Sequence, residues 1–242
     1  MQSRLATIIL AMLSALLLAC SDGSDSRNDG GGGPGPGANL DETGIYSGTL
    51  VTDSGDVVLM SLQLARDGTT AITLETDDSE RPSIVLWGTS DGQNGAVTFE
   101  GEDTDSGESV STDIAFSGTV ATGALQVADI NGNYELDIES FSARSSSLQA
   151  LSGRYARNDN LPGLSELTVN GDGSVQLSGA CDGTGSVFTI DDQVNLYRLE
   201  LDGGCSDLDV LVSLQDIEVE EDVISLAGGG SDGSFAFDFY RL

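Results

Sequence analysis

Residues 133–140 read NYELDIES, and this short stretch shows the pattern from which the fold is predicted. Tyr134, Leu136 and Ile138 alternate with acidic residues. Because successive side chains of a β-strand point to opposite faces, the stretch is expected to be a strand with one face in a core and one in water. The same alternation recurs in NLYRLEL (195–201), DVLVSLQ (209–215) and SFAFDFY (234–240).

About eight such runs lie between residues 45 and 143, and about eight more lie between 151 and 241. Turns rich in Gly, Asp, Asn and Ser separate them, and no stretch has a convincing helical period. Eight short antiparallel strands suit a closed, lipocalin-like up-and-down barrel or a two-sheet sandwich, because both protect the edge strands. We therefore predict an all-β protein with two tandem small domains. A single large sandwich is the alternative.

A weak internal echo supports two domains. TGIYSGTLV, near Ile45, and LSGRYARN, near Tyr155, each open a stretch of about a hundred residues, an ordinary domain size. The boundary is expected in SARSSSLQ, residues 142–149, which gives a first β-domain at 41–147 and a second at 148–242.

The composition excludes several chemistries. The chain has 242 residues, a formal net charge of -31, no His, and 9 basic residues that are all Arg. Without Lys there is no Walker-type phosphate loop and no pyridoxal Schiff base, and without His there is no Ser-His-Asp triad and no imidazole metal site. Nucleic acid, itself a polyanion, would be repelled. The large negative net charge has two interpretations. It can keep the protein solvated in a salty medium, or it can form a surface that attracts cations.

The N-terminus is expected to be a secretion signal. Residues 7–19, TIILAMLSALLLA, follow a short positively charged start and are too few to span a bilayer. The end of this run, Leu17-Leu18-Ala19-Cys20, resembles the lipobox of bacterial lipoproteins. The resemblance implies cleavage after residue 19, lipidation of the Cys20 thiol and acylation of the new amine. A transmembrane helix that happens to contain a cysteine is the alternative, and it requires a longer apolar run.

The same resemblance implies a place for the protein. Ser21 follows the cysteine where Asp would be the usual inner-membrane retention signal, so an outer-membrane anchor is favoured, although Asp22 comes next. Two or more acyl chains hold a protein stably at a membrane. Residues 20–40, rich in Gly, Pro, Ser and Asp, are expected to form a flexible tether.

Cys181 and Cys205 form an even pair once Cys20 is assigned to lipid, and we predict a disulfide between them in an oxidising compartment. A redox or metal role for these two cysteines is the alternative. The segment GSVQLSGACDGTGSVFTIDDQVNLYRLELDGGC, residues 173–205, also resembles a segment of uncharacterised secreted β-rich proteins of marine bacteria. That resemblance implies no activity.

Several motifs are interpreted as structural. GTSDG (88–92) and GGSDG (229–233) match a nucleophile elbow but have neither a helix nor a His beside them, so they are read as turns. DINGNYELDIES (129–140) places Asp129, Asn131 and Asn133 at the spacing of a calcium loop, but a hairpin closed by Asn-Gly explains it better. Trp87 is expected in a core or at a rim rather than as a sugar-stacking platform. No spacing singles out a catalytic pair among the 40 acids.

Three functions follow as hypotheses. The first is a non-enzymatic outer-membrane lipoprotein, without a cofactor or metal, that binds a ligand or partner at the cell envelope. The second is an acidic surface spacer without a pocket. The third, a carboxylate-dependent hydrolase, requires two carboxylates that converge in one cleft.

Overall fold

The structure, a computed structural model, describes residues 40–76, 83–157, 164–179, 182–202, 208–216, 222–230 and 233–242. These residues contain sixteen strands and one short helix, joined by turns and loops. The first eight strands are β1 (Gly44–Thr52), β2 (Val57–Leu64), β3 (Thr69–Glu75), β4 (Ser83–Gln93), β5 (Ala96–Asp103), β6 (Ser109–Ser117), β7 (Val120–Val127) and β8 (Ile130–Ile138). After helix α1 (Leu148–Leu151) come β9 (Gly153–Arg157), β10 (Leu164–Val169), β11 (Ser174–Gly179), β12 (Gly183–Thr189), β13 (Tyr197–Asp202), β14 (Leu208–Asp216), β15 (Asp222–Gly230) and β16 (Gly233–Arg241).

These strands form two antiparallel barrels in tandem. In barrel 1 each strand from β1 to β8 pairs with the next, and β8 closes the ring on β1 through seven residue pairs. In barrel 2 the strands from β9 to β16 follow the same order, and the ring closes between β16 and β9 along a short seam of three residue pairs. The predicted all-β fold with two tandem small domains is therefore confirmed, and of the two expected architectures, barrel and sandwich, the strands form barrels.

The alternating pattern fills both interiors. Tyr134 and Leu136 point into barrel 1 and are at most 3% exposed, whereas Glu135 between them faces water. In barrel 2, Tyr197 and Leu199 are buried in the same way. Large side chains occupy each interior, which matches the dense packing expected of small eight-stranded barrels. The largest fully buried ones include Phe99 in barrel 1 and Tyr155, Tyr197 and Phe239 in barrel 2.

The weak internal repeat in the sequence corresponds to the same local structure at the start of each barrel. The third residue of the first strand in each barrel is a tyrosine, and its hydroxyl donates a hydrogen bond to a carbonyl four residues upstream. Tyr46 bonds the carbonyl of Glu42 at 3.1 Å, and Tyr155 bonds that of Leu151 at 2.5 Å. The upstream segment thereby closes one barrel end. Leu40 closes barrel 1, whereas α1 closes barrel 2, and both segments bury a leucine in the core.

Barrels 1 and 2 belong to one compact unit and pack wall against wall. An apolar cluster joins them; it contains Ile45, Ala65, Ala71, Val194, Leu196 and Leu211, with Trp87, Phe141 and Ile190 packed against it. At its edge, Arg66 of barrel 1 pairs with Asp191 of barrel 2 at 2.9 Å. The expectation that every strand has one face in water is therefore wrong for β3 and β14, which are buried on both faces.

The interface also shows which core Trp87 contacts. This side chain lies neither in a barrel interior nor at a rim. It projects outward from β4 and is half-buried against the cluster that joins the barrels. Burial of its ring against the second barrel accounts for the residue without a ligand.

One hairpin differs from its predicted position. Val127 and Ile130 are directly opposite each other, so the two-residue turn between β7 and β8 is Ala128-Asp129, with Ala128 at a φ of 50°. The Asn-Gly at 131–132 lies within β8 instead. A Cβ at Gly132 would lie 2.3 Å from the carbonyl oxygen of Val51, so close packing against β1 explains this glycine.

Candidate functional site: a cleft at the rim of barrel 1

One end of barrel 1 is closed by the entering chain, whose Leu40 is buried in the core. The chain enters at the closed end, where the backbone N–H of Leu40 bonds the carbonyl of Arg66. In an up-and-down barrel alternate turns meet at the same end. The turns at 53–56 and 128–129 therefore lie at the opposite end, together with the last residues of β3 and β5. We call this opposite end the rim end.

A cleft of about 810 Å³ lies at the rim end. Its volume falls within the range usual for small-molecule sites, about 300 to 1,000 Å³. We call it the rim cleft. The β1–β2 turn, the end of β3, the start of β4 and the β7–β8 turn line it. It is a hollow in the rim, because Leu50, Met60 and Leu74 fill the adjacent interior and are at most 3% exposed.

The lining combines acids with aliphatic side chains. Asp53, Asp56, Glu75 and Asp129 contribute carboxylates, and the lining residues that the structure describes include no Arg. The apolar part comes from Val57, Val58, Ile84, Ala128 and Ile130. In the described part of barrel 1 the only Arg is Arg66, which is paired with Asp191 away from this end. The described lining therefore combines four carboxylates with apolar surface.

Hydrogen bonds hold the turns of the cleft in place. The Asn131 side-chain amide donates to the Asp53 carboxylate at 2.8 Å, and the Asp53 N–H donates to the Asn131 carbonyl at 2.8 Å. Within the turn, the Ser54 hydroxyl donates to the Asp56 carboxylate at 2.6 Å, and the Asp56 N–H donates to the Thr52 hydroxyl at 2.9 Å. These bonds fix two of the four carboxylates before any ligand arrives.

Residues 88–92 do not form a nucleophile elbow, and they are not a turn. They lie within β4, and Ser90 is buried, with its hydroxyl accepting a 2.8 Å hydrogen bond from Thr70. A Cβ at Gly88 would lie 2.2 Å from the Glu100 carbonyl oxygen, so strand packing explains this glycine. In the second match, Gly230 and Gly233 are partners at the end of the β15–β16 hairpin, and Ser231 lies outside the described residues.

The three residues at calcium-loop spacing have three different surroundings. Asp129 occupies a hairpin turn, Asn131 is bonded to Asp53, and Asn133 lies exposed on the wall of β8. Among the described residues, no three or more His, Cys, Asp or Glu side chains are grouped closely enough to hold a metal ion.

The two most buried described carboxylates have structural partners far from each other. Asp103 accepts a 2.6 Å bond from the Ser106 hydroxyl in the β5–β6 loop. Asp191 pairs with Arg66 and accepts a 2.8 Å bond from the Gln193 N–H. They do not form the close pair that a glycosidase mechanism requires.

The predicted lipidation site and disulfide lie outside the described residues, because Cys20, Cys181 and Cys205 all do. The strands that precede the latter two cysteines, β11 and β13, do end at the same end of barrel 2. The disulfide stays a prediction, as do the signal peptide and the tether.

Sequence reasoning missed the rim cleft, although a signal for it exists. Counting strands along the meander places DSGD (53–56), Glu75 and Asp129 at the same end of one barrel. The strand count does not predict the cleft between these residues, because the cleft depends on the conformations of the turns.

Comparison with protein-family models, with curated proteins and with solved structures gives no match. Within the described residues, no helix has the length and apolar character needed to cross a membrane.

Proposed function

We propose that this chain is a bacterial outer-membrane lipoprotein, anchored through Cys20, that binds a ligand or partner at the cell envelope without catalysing a reaction. The observation that carries the binding role is the rim cleft, with its 810 Å³ volume, four carboxylates and aliphatic lining. The lipobox resemblance supports the anchor. The absence of His and Lys from the sequence supports a non-enzymatic role, since it removes the commonest general base and amine nucleophile.

The tether and the cleft are compatible in this proposal. The chain enters barrel 1 at the closed end, beside Leu40, and the cleft is at the other end. A ligand can therefore reach the cleft without displacing the entering chain.

Binding is tested with the full chain in nanodiscs of zwitterionic lipid, screened by thermal shift against small molecules and peptides. Val57→Trp places a large ring at the cleft, where Val57 is 65% exposed. We expect it to weaken each genuine ligand at least about tenfold by steric exclusion. Phe188→Trp, on the exposed wall of barrel 2, is the matched control and leaves affinity unchanged. If no compound binds in a way that Val57→Trp reduces, the binding role is wrong.

The anchor and the lack of catalysis have separate tests. Mass spectrometry of the protein from bacterial envelopes is expected to show a triacylated peptide that begins at Cys20, and Cys20→Ser abolishes it. Turnover of an ester, glycoside or peptide substrate that a single carboxylate substitution removes would contradict the non-enzymatic role.

A second candidate is the acidic spacer, and the filled barrel interiors favour it. Barrel 1 keeps Phe99 and Leu62 completely buried, so its interior has no lipocalin-like room for a ligand. The spacer requires that the rim cleft bind nothing, and the screen above therefore separates the two candidates.

A further inference from the structure

An exposed apolar strip lies on the outer wall of barrel 1, at the rim end. Val51 and Val57 are directly opposite each other on β1 and β2, and Leu59 follows on the same face of β2. The three side chains are 47%, 65% and 54% exposed. Among the side chains that the structure describes, the other large exposed hydrophobics are Phe188 and Leu242, each remote from this strip in sequence. We call these three residues the wall strip.

The wall strip and the rim cleft form one continuous surface. Val57 belongs to both, because it lines the cleft and is also the middle residue of the strip. Glu75 lines the cleft and is the cross-strand partner of Leu59. The surface thus runs from four carboxylates in the cleft, over the rim, to three aliphatic side chains on the wall.

Charge decides among the possible occupants. The described lining of the cleft has four carboxylates and no Arg, so a positively charged group is favoured. A second copy of this chain also carries a net charge of -31, and an anionic membrane is negative as well, so both are repelled. A metal ion is a poor fit, because the described acids do not gather around a single point.

The extent of the surface decides the size of the occupant. Leu59 lies on the wall outside the cleft lining, so a small molecule held in the cleft would leave it exposed. An extended polypeptide advances about 3.3 Å per residue and projects side chains alternately, so it can place basic groups in the cleft and an aliphatic group on the wall.

From this juxtaposition we propose that the rim end of barrel 1 docks a basic polypeptide segment that carries aliphatic side chains. The basic groups lie against Asp53, Asp56, Glu75 and Asp129, and an aliphatic group covers the wall strip. The inference rests on the proposed binding role of the rim cleft and names the class of its partner.

The test uses the full chain in zwitterionic nanodiscs and fluorescent nonapeptides, with fluorescence anisotropy as the readout and empty nanodiscs as the blank. The probe RGLRGLRGL is expected to bind saturably, and more weakly as salt is added. RGSRGSRGS keeps the charge without the apolar groups, and EGLEGLEGL reverses the charge. We expect the first control to bind about tenfold more weakly and the second not to bind. Equal binding of RGLRGLRGL and RGSRGSRGS would overturn the role of the wall strip.

Variants locate the contact. Glu75→Gln with Asp129→Asn is expected to weaken RGLRGLRGL about tenfold, and Val57→Ser with Leu59→Ser about fivefold. The matched control Glu100→Gln with Glu102→Gln removes two exposed acids of β5 that do not line the cleft, and it is expected to change the affinity less than about twofold. If this control weakens binding as much as the cleft pair does, a diffuse acidic field explains the binding and the proposal is wrong. The peptide comparison on the unmodified chain does not depend on any variant folding.

Other occupants give different results. Spermine or Ca²⁺ that binds tightly and excludes RGLRGLRGL would identify a small cation or a metal, and a concentration-dependent dimer in light scattering would identify a second copy. A neutral or anionic compound that Val57→Trp weakens, with no peptide binding, would leave the proposed function standing and overturn this inference. If no compound or peptide binds in a way that Val57→Trp reduces, both proposals fail.

Discussion

The two barrels share a strand order, but they differ in how their acidic side chains are paired with Arg. In barrel 2, Arg154 forms paired bonds with Glu166, and Arg198 forms them with Asp209 on the neighbouring strand. Between residues 40 and 138 the sequence has nineteen acids and two Arg, and the described one of these Arg pairs with barrel 2. Among the described residues, none of the four acids that line the rim cleft forms an ion pair with an Arg. The comparison teaches that the same strand order can carry different arrangements of charged side chains.

The outer walls differ as well, and the largest predicted effect tests that difference. Leu211, fully buried between the barrels, and Leu59, 54% exposed on the free wall, are both outward-facing residues of a strand. We expect Leu211→Asn to lower the free energy of unfolding by about 3 to 4 kcal/mol, because it buries an amide without partners and removes apolar contact. Leu59→Asn is the matched control and changes it by less than about 0.5 kcal/mol. Urea denaturation followed by circular dichroism measures both, and equal losses would show that the barrels do not share a wall.

The next effect compares the two segments that close the barrels. Leu40 and Leu151 are each 1% exposed and pack into different cores. Each change to Ala is expected to cost about 3 kcal/mol, as is usual when a buried leucine is truncated. The exposed Leu242→Ala is the control. A loss below about 1 kcal/mol for Leu40→Ala would mean that the entering chain does not close barrel 1.

High pH is expected to destabilise the protein through its buried tyrosines. Burial, with the nearby Glu42 carboxylate, raises the pKa of Tyr46 to about 12, from an ordinary 10. Between pH 10 and 12 the unfolded chain therefore loses a proton that the folded chain keeps, so the stability falls as the pH rises through this window. Tyr46 alone accounts for about 2 kcal/mol at pH 12.

Burial also raises the pKa of Tyr134 and of Tyr197, which adds to the same fall. Urea denaturation at pH 8, 10 and 11.5 measures it. Tyr46→Phe is expected to make the fall smaller, and an unchanged fall would contradict the assignment to Tyr46.

The smallest expected loss of stability compares Tyr46 with Tyr155, the tyrosines at matching positions in the two barrels. Tyr46→Phe removes one hydrogen bond, to the Glu42 carbonyl, and is expected to cost about 1 kcal/mol at neutral pH. Tyr155→Phe removes the bond to the Leu151 carbonyl and also the contact with the Arg241 guanidinium at 2.7 Å, so it is expected to cost about 1.5 kcal/mol. Chemical denaturation with both variants side by side is the measurement. A larger loss for Tyr46→Phe would reverse the comparison.

Local patterns predicted most of the strands but interpreted two strand segments, residues 88–92 and Asn131-Gly132, as turns. The second error has a specific reason. Asn94-Gly95 does form a two-residue turn, with φ of 60° and 80°, and joins β4 to β5. Asn131-Gly132 has the same two residues but lies inside a strand, because Gly132 is needed where β8 passes close to β1. The dipeptide permits a turn, and the neighbouring strand decides whether one forms there.

The packing of the two barrels against each other is reflected in a sequence feature of β14 that strand alternation alone does not explain. Val210, Leu211 and Val212 form a continuous apolar run in β14, and all three are at most 2% exposed. Such runs are typical of strands buried on both faces. The run indicates that something covers the outer face of β14, but it does not name the covering strand.

The sequence by itself determined the strands, their inward faces and the division into two sets of eight, because alternation is a local property of the pleated backbone. It also determined which chemistries are absent, since no His or Lys is encoded. Only the tertiary structure decided that Leu211 meets the first barrel and that Val57, Glu75 and Asp129 share one cleft. These outcomes depend on barrel closure and wall packing, which bring residues far apart in the chain into contact.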